Sequence, residues 1–160
     1  MTIQTLLFCA SAWLVASPAL AQRKRLAAPL TSTHTVVTSA AAPAPIGPYS
    51  QAVQAGTTVY VSGQIALDAA TGQLVGNGDV KAETQQVMKN LVAILAAAGL
   101  TPRDVVKCSI FVKDLGSFGL INETYGSYFD VHAAPARETV QVSALPKAAQ
   151  VEISCIAVKQ

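Results

Sequence analysis

One stretch of this chain reads as a long amphipathic helix, and that limits what the rest can become. Between Val80 and Ala98, the residues Val87, Leu91, Ile94, Leu95 and Ala98 recur at helical spacing. One side of the helix is therefore apolar and has to be covered. Asp79 or a neighbour is placed to cap its start, and Gly99 to end it in the left-handed conformation. The flanking segments can supply the cover, because they read as β-strands: Thr35 to Thr38, Gln51 to Gln54, Thr57 to Ser62, Val105 to Lys113, Thr139 to Ser143 and Gln150 to Val158. In the fourth of these, Val106, Cys108, Ile110 and Val112 are expected on one face. Ser117 is expected to cap a second helix, from about Phe118 to Val131, with Ile121, Tyr125, Tyr128 and Phe129 as its apolar stripe. Two helices inserted among six strands define an α+β domain with both helices packed on one sheet face.

The connections carry their own signals. Pro43, Pro45 and Pro48 impose an extended, rigid loop, since proline fixes φ and restricts the residue before it. Gly56 turns between two strands, and Asp68 to Gly72 and Gly76 to Asp79 have turn chemistry. Thr101-Pro102-Arg103-Asp104 starts a short helical turn with proline at its first position.

At 160 residues, with no internal repeat, the chain suits one domain. It is 51% hydrophobic and 12% charged with a net charge of +2, which excludes a disordered chain or a polyelectrolyte and leaves surface to bury against other subunits. The one basic cluster, Arg23-Lys24-Arg25, lies outside the expected domain, and no aromatic-interleaved basic stripe follows it. No nucleic-acid partner is expected.

Residues 1–21 read as a secretory signal. Leu6 to Ala16 is an apolar run too short to span a membrane comfortably, and Pro18-Ala19-Leu20-Ala21 offers small residues for cleavage after Ala21. Residues 22–33 read as a flexible tether and 34–160 as the folded domain. The expected location is periplasmic or secreted, with no stable membrane association after cleavage. The segment before the apolar run has no Lys or Arg, so a misassigned start on a cytoplasmic protein is the competing reading. Cleavage would leave Cys108 and Cys155, each inside a strand-like run where a buried free thiol is the expected state. His34 and His132 stand alone, no Cys-x-x-Cys occurs, and no phosphate loop or Ser/His/Asp arrangement is present, so neither a metal nor a cofactor is expected.

Several segments, in order, carry a family resemblance. They are Ala42-Pro43-Ala44-Pro45-Ile46-Gly47-Pro48-Tyr49-Ser50-Gln51-Ala52, Val61-Ser62-Gly63-Gln64-Ile65, Ile121-Asn122-Glu123-Thr124-Tyr125-Gly126, Pro135-Ala136-Arg137 and Leu145-Pro146-Lys147 through Ile153. From about His34 to Lys159 the chain resembles the Rid family of reactive intermediate (enamine/imine) deaminases, in particular its RidA-like branch. The resemblance implies a chorismate-mutase-like subunit with a mixed sheet, assembled as a homotrimer with ligand sites in the clefts between subunits. It further implies that Arg137 binds the substrate carboxylate and that Glu152 positions water, with Tyr49, Ser62 and Asn122 as further cleft residues. Where the family often has cysteine two residues after that arginine, this chain has Thr139.

These residue types suit the implied chemistry. A protonated 2-imino acid is already electrophilic, so hydrolysis to a 2-keto acid and ammonia needs orientation, a water and proton transfers. An arginine fork takes a carboxylate bidentately. Strand alternation sends Val151 and Ile153 to one face and Glu152 to the other, free to handle a proton. Tyr49, on the proline-flanked loop, could close a pocket. The alternative is a non-enzymatic trimer of the same fold that binds small ligands or holds unfolded proteins. A ribonuclease activity, associated with some relatives, is a weaker third reading.

Overall fold

The computed structural model describes residues 34–160, so the signal-peptide and tether readings at 1–33 lie outside the described residues. Eight regular elements follow in order: strands β1 (His34–Val37), β2 (Ala52–Ala55) and β3 (Thr58–Gln64), helix α1 (Val80–Ala97), strand β4 (Val105–Val112), helix α2 (Phe118–Gly126), and strands β5 (Ala136–Gln141) and β6 (Val151–Val158). The six strands form one sheet in the order β1-β2-β3-β6-β4-β5. All neighbours are antiparallel except β4 and β5, which are parallel, so the sheet is mixed, as expected.

Burial alternates residue by residue along β6, with Val151, Ile153, Cys155 and Ala157 on the buried side. Those four meet Val59 and Val61 from β3 and Cys108, Ile110 and Val112 from β4 on one continuous apolar face. The expected face of α1 covers it: Val87, Leu91, Ile94, Leu95 and Ala98 are all buried, joined by Met88. Ile121 and Tyr125 of α2 extend the same layer. The opposite face carries Val36, Tyr60 and Val140, each 42–54% exposed, and no element among the described residues covers it.

The helix signals were legible at α1. Asp79 accepts hydrogen bonds from the Lys81 and Ala82 amides, and Gly99 follows with φ of 73°. Within the fold, Glu83 of α1 is fully buried and accepts hydrogen bonds from the Gly78 amide (3.1 Å) and the Gln150 amide (2.7 Å). It ties the loop before α1 to the start of β6.

Three local expectations are corrected. Val106 is not on the buried face: the pairing between β4 and β6 slips between Val105 and Lys107, so Val105 turns inward and Val106 is 48% exposed. Helix α2 stops at Gly126, not Val131. There Ser127 donates its hydroxyl to the Thr124 carbonyl, and the Tyr128 and Phe129 amides bond three residues back, tightening the chain out of the helix. Strand β5 starts at Ala136, three residues early, because Pro135 holds its predecessor extended and the chain then pairs with β4 from Lys107↔Ala136. The weak β-propensity of Ala136-Arg137-Glu138 hid this. Asp79→Ala should lower stability by about 1 kcal/mol in urea unfolding, since it removes the partner of two amides at the start of α1.

Candidate active site

The proline loop is fixed from below by one side chain. Gln51, 4% exposed, accepts from the Ser39 amide (2.6 Å) and donates to the carbonyls of Ser39, Ala42 and Pro43. That holds the loop ahead of Tyr49, whose ring is half exposed and whose hydroxyl accepts from the Ile46 amide at 3.3 Å. Ser62 donates its hydroxyl to the Ser50 carbonyl (2.7 Å), and its amide bonds the Gln51 carbonyl, so β3 and the loop form one wall.

Glu152 completes this group. It sits in β6 opposite Phe111, on the sheet face away from the helices. With Ile46, Tyr49, Ser62, Gly63 and Pro146 it lines a hollow of about 330 Å³. The sheet register slips between Val61 and Gln64, which brings Gly63 against the Glu152 carboxylate. A Cβ on Gly63 would overlap Oε1 and lie 2.9 Å from Cδ, so glycine alone lets the Glu152 carboxylate sit where it does. Burial raises the pKa of Glu152. Among the described residues nothing donates a hydrogen bond to it.

Arg137 belongs to a second group. It lies in the edge strand β5 opposite Cys108 and points to the helix side. Its guanidinium sits 5.0 Å from the Tyr125 ring centroid and 5.6 Å from that of Phe118, and Nη1 donates to Asn122 Oδ1 at 2.9 Å. These contacts fix the fork by cation–π attraction and one neutral acceptor. The ion pairs among the described residues are Lys81–Glu123 and Lys107–Glu138, so no carboxylate neutralises Arg137. A hollow of about 390 Å³ opens beside it, walled by Asn122, Tyr125, Phe129, Val131 and Pro135. Thr139 shares its side of β5 by alternation, and the Thr139 hydroxyl is buried with no hydrogen-bond partner.

The five residues singled out in sequence thus fall into two sets on opposite sheet faces: Tyr49, Ser62 and Glu152 on the open face, Asn122 and Arg137 on the helix face. A single chain does not bring Arg137 and Glu152 together. Sequence reasoning missed Gln51 and Gly63 as supports and read Tyr125 only as core. Gly63, in the matched Val61-Ser62-Gly63-Gln64-Ile65 segment, was the available signal. Among the described residues no three His, Cys, Asp or Glu side chains converge to hold a metal.

An α+β domain of chorismate-mutase-like fold, with a cationic and an acidic hollow at its surface, is the class these features define. Residues 39–159 match the family model described as Endoribonuclease L-PSP, and the chain belongs to this family, the Rid family. Protein DfrA of Myxococcus xanthus is 58% identical over 119 residues, covering 73% of this chain and 89% of that protein. A 2-iminobutanoate/2-iminopropanoate deaminase of Mus musculus is 49% identical over 124 residues, covering 78% and 90%. The crystal structure of E. coli TdcF with bound serine superposes with a TM-score of 0.73 at 41% identity, covering 79% of this chain and 99% of that one.

The raised pKa of Glu152 has a testable sign. The folded state binds its proton more tightly than the unfolded chain, so this group lowers stability as pH rises from its ordinary value of 4.5 through the raised one. Glu152→Gln removes that dependence. Urea unfolding should show the variant gaining on wild type across this window, with the gain levelling off once wild-type Glu152 is ionised. A constant difference from pH 4 to 8 would contradict the desolvated carboxylate. Gly63→Ala should displace the flexible Glu152 side chain at a cost within about 0.5 kcal/mol in the same unfolding curves, and should weaken the pH dependence assigned to Glu152.

Proposed function

We propose that this protein hydrolyses reactive 2-enamine and 2-imino acids, of the 2-aminoacrylate and 2-iminobutanoate class, to 2-keto acids and ammonia. The observation that carries this reading is Arg137: a fixed guanidinium, unpaired by any carboxylate, at the mouth of a hollow with a mixed polar and apolar lining. The identity to the mouse deaminase supports it, as does the serine in the TdcF structure, a small amino acid with a carboxylate of its own. The non-enzymatic trimer remains the rival.

In this reading Arg137 takes the substrate carboxylate through its fork while Asn122 sets the plane of the guanidinium. Glu152 holds a water on the face of the C=N carbon and takes a proton as the C–O bond forms. The nitrogen leaves as ammonia when the resulting carbinolamine collapses to the carbonyl. Burial raises the pKa of Glu152, so its carboxylate takes a proton more readily than an exposed one. Tyr49 and Ser62 shape the wall from which the water approaches. No step requires a metal or a cofactor.

Because Arg137 and Glu152 point to opposite faces of one sheet, the reading requires a neighbouring copy. We propose a homotrimer in which the β5 edge of one subunit, with Arg137 and Asn122, faces the Glu152 hollow of the next. The uncovered apolar face, with Tyr60 and Val140, is the surface such an assembly would bury. The proposed location is periplasmic or secreted, and N-terminal sequencing of the exported protein should begin at Gln22.

A semicarbazide-competition assay tests the reaction, with an amino-acid oxidase or threonine dehydratase generating the imine in situ. Wild type should suppress semicarbazone formation. Arg137→Ala should lose roughly 10–150-fold in kcat/KM, the equivalent of about 1.5–3 kcal/mol for a charge-assisted contact. Equal behaviour of wild type and variant over several imino acids would leave the binding or holdase protein as the function. Composite geometry has its own test. Arg137→Ala and Glu152→Gln, each impaired, should together exceed the activity of either alone when unfolded together and co-refolded, since about a quarter of randomly assembled clefts receive both native residues. No recovery despite mixed assembly would place both residues' roles within one chain.

A further inference from the structure

Strands β4 and β6 run antiparallel in a register that sets Cys108 directly opposite Cys155. Both side chains face the helix layer, at 1% and 4% exposure, and both are free thiols. Directly opposed residues in such a pair have Cα atoms about 4.5–5.5 Å apart, inside the roughly 4.4–6.8 Å that disulfides span. The pairs on either side stay in register from Lys107↔Ile156 to Val112↔Val151, so closing the bridge requires no strand slip. A void of about 10 Å³ borders the two cysteines, walled by Met88, Leu91, Val105 and Phe129. On the other side the Tyr125 hydroxyl approaches the Cys108 thiol without gaining a hydrogen bond of ordinary geometry. The reduced pair is therefore not locked into a satisfied polar network, which would resist losing a thiol.

We propose that Cys108 and Cys155 form a redox modification site, a dithiol that closes to a cross-strand disulfide when the chain folds under oxidising conditions. The co-reactant is a disulfide, either a small-molecule one such as oxidised glutathione or that of a thiol oxidase. One cysteine thiolate attacks it, forming a mixed disulfide and releasing one thiol. The second thiolate then attacks the mixed disulfide at the protein sulfur and releases the other. Two S–H bonds are lost and one S–S bond is gained in the protein. The two electrons and two protons end on the reduced co-reactant.

The state chosen at folding should persist. Only the thiolate is nucleophilic, and burial pushes Cys155 up to about 12 and raises Cys108 as well. Once the helices close over the pair, exchange in either direction waits for the core to open. The site thus records the redox condition under which the chain folded, and it does so independently of the deaminase reading.

The test uses the full-length chain carrying Cys9→Ser, which leaves only these two of its three cysteines. It is unfolded and refolded in parallel in oxidised and in reduced glutathione, then denatured and alkylated with iodoacetamide. After oxidising refolding, intact mass should show two hydrogens lost and no alkylation, and digestion should give one linked peptide pair joining Cys108 to Cys155. After reducing refolding both thiols should alkylate. The oxidised form should be folded by circular dichroism and should melt several degrees above the reduced form. Reduced protein that is already folded should stay alkylatable in oxidised glutathione far longer than the refolding time. Two free thiols after oxidising refolding, mixed disulfides with glutathione alone, or a linked species that is unfolded would each overturn the proposal. Cys108→Ser and Cys155→Ser should yield no internal link, which excludes an artefact of digestion.

Discussion

The register of β6 between β3 and β4 is the constraint from which the rest follows. Val151, Ile153, Cys155 and Ala157 face α1, and among the described residues this sheet face is the surface that buries the helix's apolar side. A slip of one residue would place Glu152 in the core and expose four apolar side chains. At about 25 cal/mol per Å² of apolar surface, exposing those four side chains alone costs on the order of 10 kcal/mol, comparable to the whole stability of an ordinary domain. The position of Glu152 on the open face is therefore set by the core and not by any contact of its own. Glu83 pins the same register from the helix side by accepting the Gln150 amide just before β6 begins.

The same logic separates the two charged hollows. Parallel pairing puts Arg137 level with Cys108, so its side chain shares the helix face, where Tyr125 and Phe118 offer ring faces instead of a counter-ion. Glu152, on the other face, is partly desolvated by Gly63, Tyr49 and Pro146. A strand sends alternate residues to opposite sides, so the two charges cannot neutralise each other within one chain. Each keeps its capacity for a ligand or for a neighbouring subunit. In the proposed trimer, a site divided in this way would couple activity to assembly, and the exposed Tyr60 and Val140 would give the sheet face a reason to be covered.

Most of the architecture could be read from local signals. The periodicity of α1, its Asp79 cap and the Gly99 stop are all in place, and the outward direction of Glu152 followed from a strict two-residue alternation. What could not be read depended on partners distant in sequence. The bulge at Val106 arises from a mismatch with β6, and the early start of β5 from pairing with β4. The support of the proline loop by Gln51 is a tertiary effect of one buried amide. The candidate residues were legible through resemblance alone. Taken singly, Arg137, Glu152, Tyr49, Ser62 and Asn122 would pass for solvated or packing side chains, and nothing in their spacing says that the first two lie on opposite faces. The facing of Cys108 and Cys155 was equally hidden, since it depends on the register between strands far apart in the chain.

Two carboxylates with enclosed side chains show why environment, not residue type, separates scaffold from site. Glu83 is fully buried, yet both of its oxygens accept backbone N–H groups, from Gly78 and Gln150. Its bonding capacity is spent on joining two loops, and a Cβ at Gly76 would crowd its stem at 2.8 Å. Glu152 is less enclosed, but no described residue donates to it, and burial works uncompensated to raise its pKa. A carboxylate that the fold has partly dried and left without donors is unfavourable as it stands. It becomes favourable when a water or a protonated nitrogen arrives to share its proton. The fold thus satisfies the carboxylate it uses for structure and leaves unsatisfied the one that faces the hollow.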